Sequence, residues 1–172
     1  AVRPTVLSAI ISLLMLCMPA FASAATATTL TVPTVTGVYG GTVTLTAKLT
    51  KSSDNSPLSG KTIIFTLNSL PVGTANTDSS GTATLTGIPT LTLSAGTHAN
   101  YVKALYIGGI GYAGDNGSAD LVLAKKALTV TGITAQDKPY DGNRNAVINT
   151  SGAHRSGVVL LDQVNMVTSG AV

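Results

Sequence analysis

Apolar and polar residues alternate one for one along Gly41 to Thr50, GTVTLTAKLT. Successive side chains of an extended backbone point to opposite faces, so Val43, Leu45, Ala47 and Leu49 share one face and Thr44, Thr46, Lys48 and Thr50 the other. That is the pattern of a half-buried β-strand. The same rhythm returns in KTIIFTL (Lys61 to Leu67), GTATLTG (Gly81 to Gly87), YVKALY (Tyr101 to Tyr106), SADLVLA (Ser118 to Ala124) and ALTVTG (Ala127 to Gly132), each bounded by Gly, Pro, Asn, Asp or Ser. Short strands punctuated by turn residues predict an all-β sandwich. Its core is expected at Val43, Leu45, Leu49, Phe65 and Tyr106.

The core material is aliphatic: hydrophobic residues make up 44% of the 172-residue chain, but aromatics only 4%, and Trp is absent. Only 10% of residues are charged and Glu is missing, so the outer strand faces are clothed in Thr, Ser, Asn and Gly. The formal net charge is +3. Lys48, Lys51, Lys61, Lys103, Lys138, Arg144 and Arg155 are scattered and only Lys125 and Lys126 adjoin, which argues against the basic stripe of a nucleic-acid-binding protein. The high isoelectric point follows from the lack of Glu.

Val6 to Met18 is an apolar run preceded by Arg3 and followed by Pro19 and Ala22-Ser23-Ala24. A positive n-region, a short apolar h-region and a small-residue cleavage site predict a helical secretory signal peptide over residues 1–24, cut between Ala24 and Ala25. The run is about thirteen residues long, short of the roughly 20 that span a bilayer, so no membrane span is expected in the mature chain. Cys17, the single cysteine, leaves with the signal, and Leu16 before it is not the small residue that lipid attachment favours. The mature protein is therefore expected to be secreted, extracellular or at the cell surface, without disulfides. The opening on Ala1 and the end at Val172 suggest a fragment.

Ala25 to Thr36 reads as a linker becoming an edge strand, with Pro33 at an edge or between two strand halves. Gly37 to Gly41 turns the chain, and Ser52 to Gly60 is a loop. Leu70 to Ser80 is turn-rich around a weak strand at Gly73 to Asn76, and Asp78 to Gly81 is a hairpin-type turn. Ile88 to Leu93 alternates again. Val102, Ala104 and Tyr106 share one face of their strand, Ile107 to Asn116 is a glycine-rich loop, and Ala119, Leu121 and Leu123 face inward.

Gly41 to Leu49, Gly60 to Phe65, Gly81 to Leu85, Ala95 to His98, Ala104 to Tyr106, Tyr112 and Ser118 together resemble a bacterial immunoglobulin-like repeat over about Thr28 to Lys125. The segment between Gly96 and Tyr106 is about two residues longer than the usual spacing, which predicts a bulge. The Gly-Asp that often follows the strand tyrosine is replaced by Gly108-Gly109. From Lys126 onward, LTVTGITA (Leu128 to Ala135), Lys138, Tyr140-Asp141-Gly142, NTSGA (Asn149 to Ala153), SGVV (Ser156 to Val159), Asp162 and TSGA (Thr168 to Ala171) resemble the start of the repeat named for its Tyr-Asp-Gly triplet. The resemblances imply a Greek-key immunoglobulin-like sandwich at 25–125 and the N-terminal part of a YDG repeat at 126–172, an incomplete second β domain. Such repeats stand in tandem in large secreted bacterial surface proteins of adhesin type.

Tyr140-Asp141-Gly142 is read first as a tight turn, Asp bonding its own backbone and Gly accepting positive φ. Tyr106 and Tyr112 are expected to tuck under loops, with the hydroxyl bonded to backbone as in a tyrosine corner. His98 and His154 lie in different repeats with no Cys or Glu near, so no zinc site is expected. Asp54-Asn55, Asp78 and Asp115-Asn116 offer oxygen but no calcium spacing. There is no G-x-S-x-G elbow, the aspartates lie mostly in turns, and Ile107 to Gly114 lacks the helix and Lys-Ser/Thr of a phosphate loop. No catalytic residue, cofactor or metal is expected.

The expected function is a semi-rigid stalk whose partners are neighbouring repeats of the same protein, with a host or surface glycan or protein as ligand of a distal region. The alternative is an accessory carbohydrate- or protein-binding module of a secreted enzyme. Binding of a partner by addition to an exposed sheet edge is a third reading.

Overall fold

In the computed structural model, residues 24–91, 93–143, 145–159, 162–165 and 167 are described. The expected signal peptide lies outside them except for Ala24, which is exposed, as is Ala25. Among the described residues there are twelve strands and no helix. The first eight are β1 (Thr28–Thr31), β2 (Val35–Val38), β3 (Thr42–Lys51), β4 (Thr62–Leu67), β5 (Leu70–Asn76), β6 (Thr82–Pro89), β7 (Gly96–Tyr106) and β8 (Asp115–Ala124). Four short ones follow: β9 (Thr129–Thr131), β10 (Thr134–Ala135), β11 (Ile148–Asn149) and β12 (His154–Ser156).

The first eight strands form two sheets around one core. One is three-stranded, in the order β1-β3-β6, and the other is five-stranded, in the order β2-β8-β7-β4-β5. All pairings are antiparallel except that β2 runs parallel to β8. Val43, Leu45, Ala47 and Leu49 of β3, the face picked out by the alternation, are buried. They meet Ile63, Phe65 and Leu67 of β4, Val102, Ala104 and Tyr106 of β7, and Leu121 and Leu123 of β8, all in one cluster. Burying each large aliphatic side chain contributes on the order of 1.5–3 kcal/mol, so packed aliphatics alone can hold such a body together.

Pro33 falls between β1 and β2, where the chain leaves the three-stranded sheet and joins the five-stranded one. A residue with no N–H to donate suits that crossing. The extra length before Tyr106 is a bulge: His98 pairs with Leu121 and Val102 with Ala119, so four steps along β7 face two along β8. Asn100 absorbs the excess at φ +51°. Its N–H donates to Asp120 Oδ1 at 2.9 Å, and Ser118 Oγ donates to its Oδ1 at 3.1 Å.

Several boundaries move. The strand expected at Gly73 begins at Leu70, because a two-residue turn at Asn68-Ser69, both at positive φ, sends the chain straight back along β4. β6 stops at Pro89, and Leu91 is exposed instead of continuing the alternation. β2 runs through Val38, so the turn into β3 is confined to Tyr39–Gly41. β8 runs through Leu123 and Ala124, so the connection to the later segment starts at Lys125.

Beyond Ala124, β9 pairs with β12 and β10 with β11 in two separate ribbons. Leu128, Val130, Ile133, Val147 and Val158 remain exposed, and Val159 is the one buried hydrophobic residue described there. Two-stranded ribbons alone enclose no core, so their apolar faces stay in solvent.

Candidate functional site

The two-sheet body presents two poles. At the N-terminal pole, Thr26 N–H donates to Gly111 O at 2.9 Å and Thr26 O accepts from Ala113 N–H at 2.9 Å, fastening the incoming chain to the loop between β7 and β8. At the opposite pole β8 ends, and Tyr39 N–H donates to Ala124 O at 2.9 Å. Since β8 has ten residues, the chain enters and leaves about 30 Å apart at the strand rise.

A buried threonine plugs each pole, and neither stood out in the sequence. Thr77 Oγ1 donates to Leu58 O at 2.6 Å and accepts from Lys61 N–H at 2.9 Å. Thr90, fully buried, donates from Oγ1 to Gly41 O at 3.0 Å and thereby braces the Tyr39–Gly41 turn. A lone threonine in a chain so rich in them carries no signal until its neighbours are known.

Tyr106 is buried as expected, but its hydroxyl has no hydrogen-bond partner in the protein, contrary to the tyrosine-corner expectation. In the loop that follows, Gly109 and Tyr112 bond each other, Gly109 N–H to Tyr112 O and Tyr112 N–H to Gly109 O, each at 3.0 Å. Burial, with Tyr112 nearby, pushes the Tyr106 hydroxyl pKa up. Tyr112 lies half buried beneath Lys61, whose Nζ stands 4.8 Å from the ring centroid, within cation–π range. Ile107 and Ile110 at this loop are exposed.

The loop aspartates serve the fold. Asp54 Oδ1 accepts from Ser56 N–H and Oγ, Asp78 Oδ1 from Ser80 N–H and Oγ and from Thr82 N–H, and Asp115 Oδ2 from Leu30 N–H across the two sheets. These hydrogen bonds hold the Asp54 and Asp78 carboxyls below the ordinary carboxylate value. His98 Nε2–H donates to Ser94 O at 2.9 Å, and the ring lies against Tyr101. Among the described residues no three His, Cys, Asp or Glu gather where they could share a metal ion.

The bulge opens a depression of about 700 Å³ on the outer face of the five-stranded sheet, lined by Ile64, Thr66, Asn100, Lys103, Leu105 and Ser118 among others. Its lining carries one cation, Lys103, among amide, hydroxyl and aliphatic groups, and no carboxylate or imidazole that could serve as base or acid.

In the second segment, Tyr140-Asp141-Gly142 divides its labour. Gly142 takes φ +74°, and Asp141 Oδ1 accepts from Asn143 N–H at 3.1 Å, while Tyr140 is 97% exposed. Lys138 Nζ donates to Asp141 Oδ1 at 2.7 Å and to Asn143 Oδ1 at 2.7 Å, locking the turn from outside. The Lys138 ammonium, then the Asn143 N–H, holds the Asp141 carboxyl below the ordinary carboxylate range. Lys138→Met is expected to raise that carboxyl toward the ordinary carboxylate range without restoring it fully, since the Asn143 N–H still bonds it, read by carbon NMR of the side-chain carboxyl during a pH titration. An unmoved titration would remove Lys138 from the lock.

The family model of the YDG domain matches residues 124–172. No curated protein and no solved structure matches the chain.

Proposed function

We propose that this chain is a non-catalytic spacer from an exported bacterial cell-surface protein, an immunoglobulin-like sandwich followed by a YDG-type segment, holding a distal binding region away from the cell. One observation carries the reading: the polypeptide enters the two-sheet body at one pole and leaves at the other, so modules joined this way add their lengths instead of folding back. The strand order supports the immunoglobulin-like part. β4, β7 and β8 stand as C, F and G do in that fold, β5 adds at the C edge, and β1-β3-β6 stand as A, B and E. The apolar run after Arg3 supports export, and the family match at 124–172 supports the second segment.

The described tyrosines give little support to an accessory sugar-binding module. Only Tyr140 is fully exposed, Tyr106 is buried, and Tyr39, Tyr101 and Tyr112 are half buried at separate places, so no row of aromatic faces is presented.

The test is a module swap in the full-length surface protein. Replacing residues 25–125 with an unrelated sandwich whose ends also lie at opposite poles is expected to leave surface display and ligand binding unchanged, whereas deleting them shortens the reach. Loss of binding in the swapped protein would overturn the spacer reading in favour of the accessory module.

A further inference from the structure

We propose that the YDG-type segment docks into a socket at the C-terminal pole of the two-sheet body, so that the two turn as one body and the joint is stiff. The socket is the turn Tyr39–Gly41 between β2 and β3. Gly40 sits there at φ +72°, and a Cβ on it would run into Val159 Cγ2 and stand 2.9 Å from Cγ1. Glycine thus serves twice: it takes the left-handed backbone that closes the turn, and it leaves the hole that Val159 fills. Val159 is 6% exposed, whereas its neighbour Val158 is 37% exposed. Asp162 N–H donates to Val159 O at 2.8 Å. Asp162 itself stands alongside the socket, and Tyr39 Oη donates to Asp162 Oδ1 at 2.5 Å.

Rigidity follows from where these contacts lie. The covalent link at Lys125–Leu128 alone would leave the segment free to swing. The apolar plug and the charge-assisted hydrogen bond tie residues over thirty positions further along back to the same pole. Three separate attachments fix an orientation where one does not. Thr90 braces the socket from beneath through Gly41 O, so the turn is held before the plug arrives. Val159 and Asp162 are also positions on which the resemblance to the YDG repeat rests. Their work here is contact with the preceding module. The inference deepens the spacer reading and rests on it only for its use at the cell surface.

Nitrogen-15 relaxation on the full chain tests this. Amides of β3 to β8 and of β9 to β12 are expected to share one rotational correlation time. Val159→Asp is expected to abolish that agreement, the later segment tumbling faster while the shifts of the two-sheet core stay in place. Tyr39→Phe, which removes only a hydroxyl, and Asp162→Ala are expected to loosen the joint alike, with no further loss when combined. Two correlation times in the unaltered chain, or additive effects of the two substitutions, would overturn the socket. The readout is independent of the module swap: a flexible joint leaves a spacer with a hinge, and a failed swap leaves the docking intact.

Discussion

Phe65→Ala is expected to strip about 3–5 kcal/mol from the two-sheet body, toward the upper end of that range. Phe65 is fully buried. The cost of such a truncation depends on whether the surroundings can close on the cavity, and here they are poorly placed to do so. The residues beside Phe65 are Gly73 on β5 and Ala104 on β7, which have almost no side chain to swing into the space. With total stabilities of about 5–15 kcal/mol for domains in general, the loss is a large fraction of the whole. At roughly 4–8 °C per kcal/mol for a body of this size, the midpoint of a thermal melt followed by circular dichroism falls by at least about 12 °C. Leu45→Asp goes further, because it places a charge at a fully buried position in a cluster of apolar side chains. A melt within two or three degrees of the unaltered chain for either variant would show that the core lies elsewhere.

Alternation made the faces of the strands legible, since it is a local property of an extended backbone. Val43, Leu45, Ala47 and Leu49 point inward whatever they meet. Spacing made the bulge near Asn100 legible, because surplus residues between two anchored positions have to leave the ladder. Pairing was harder. That β2 joins β8 in parallel, while β1 four residues earlier joins β3, depends on what lies across the core. The early start of β5 came from two residues, Asn68 and Ser69, adopting positive φ without a glycine.

The site was legible only in part, for the same reason. Asp-Gly announces a turn by its own chemistry, and Gly142 and Asp141 form one. Gly40 announces a turn too, but not that it receives Val159 from well over a hundred residues away. Tyr106 was placed by its strand, but the fate of its hydroxyl depends on the Gly109–Tyr112 hairpin, whose Gly109 and Tyr112 carbonyls bond each other's N–H and whose Gly111 carbonyl takes Thr26 N–H.

Glycines separate backbone conformation from available space, and a matched pair makes that separation measurable. Gly81 stands just before β6 and Gly87 within it, at nearly the same φ, +78° and +75°. Gly87→Ala adds a Cβ into open space, so only the left-handed conformation opposes it, at about 1–2 kcal/mol. In Gly81→Ala the Cβ would meet Leu49 O at 2.5 Å, Pro57 Cβ at 3.0 Å and Leu58 N at 3.2 Å. Leu49 O cannot step aside freely, since it accepts from Leu58 N–H at 3.1 Å while Leu49 N–H donates to Gly81 O at 2.8 Å. Opening that pair adds about 0.5–1.5 kcal/mol for each bond, so Gly81→Ala is expected to cost about 2–5 kcal/mol in all. Melting both variants beside the unaltered chain checks the difference, with Gly81→Ala the lower by at least several degrees. Equal midpoints would mean that the strand edge at Leu49 yields, and that the contact between this turn and the loop at Pro57-Leu58 does not hold the N-terminal pole together.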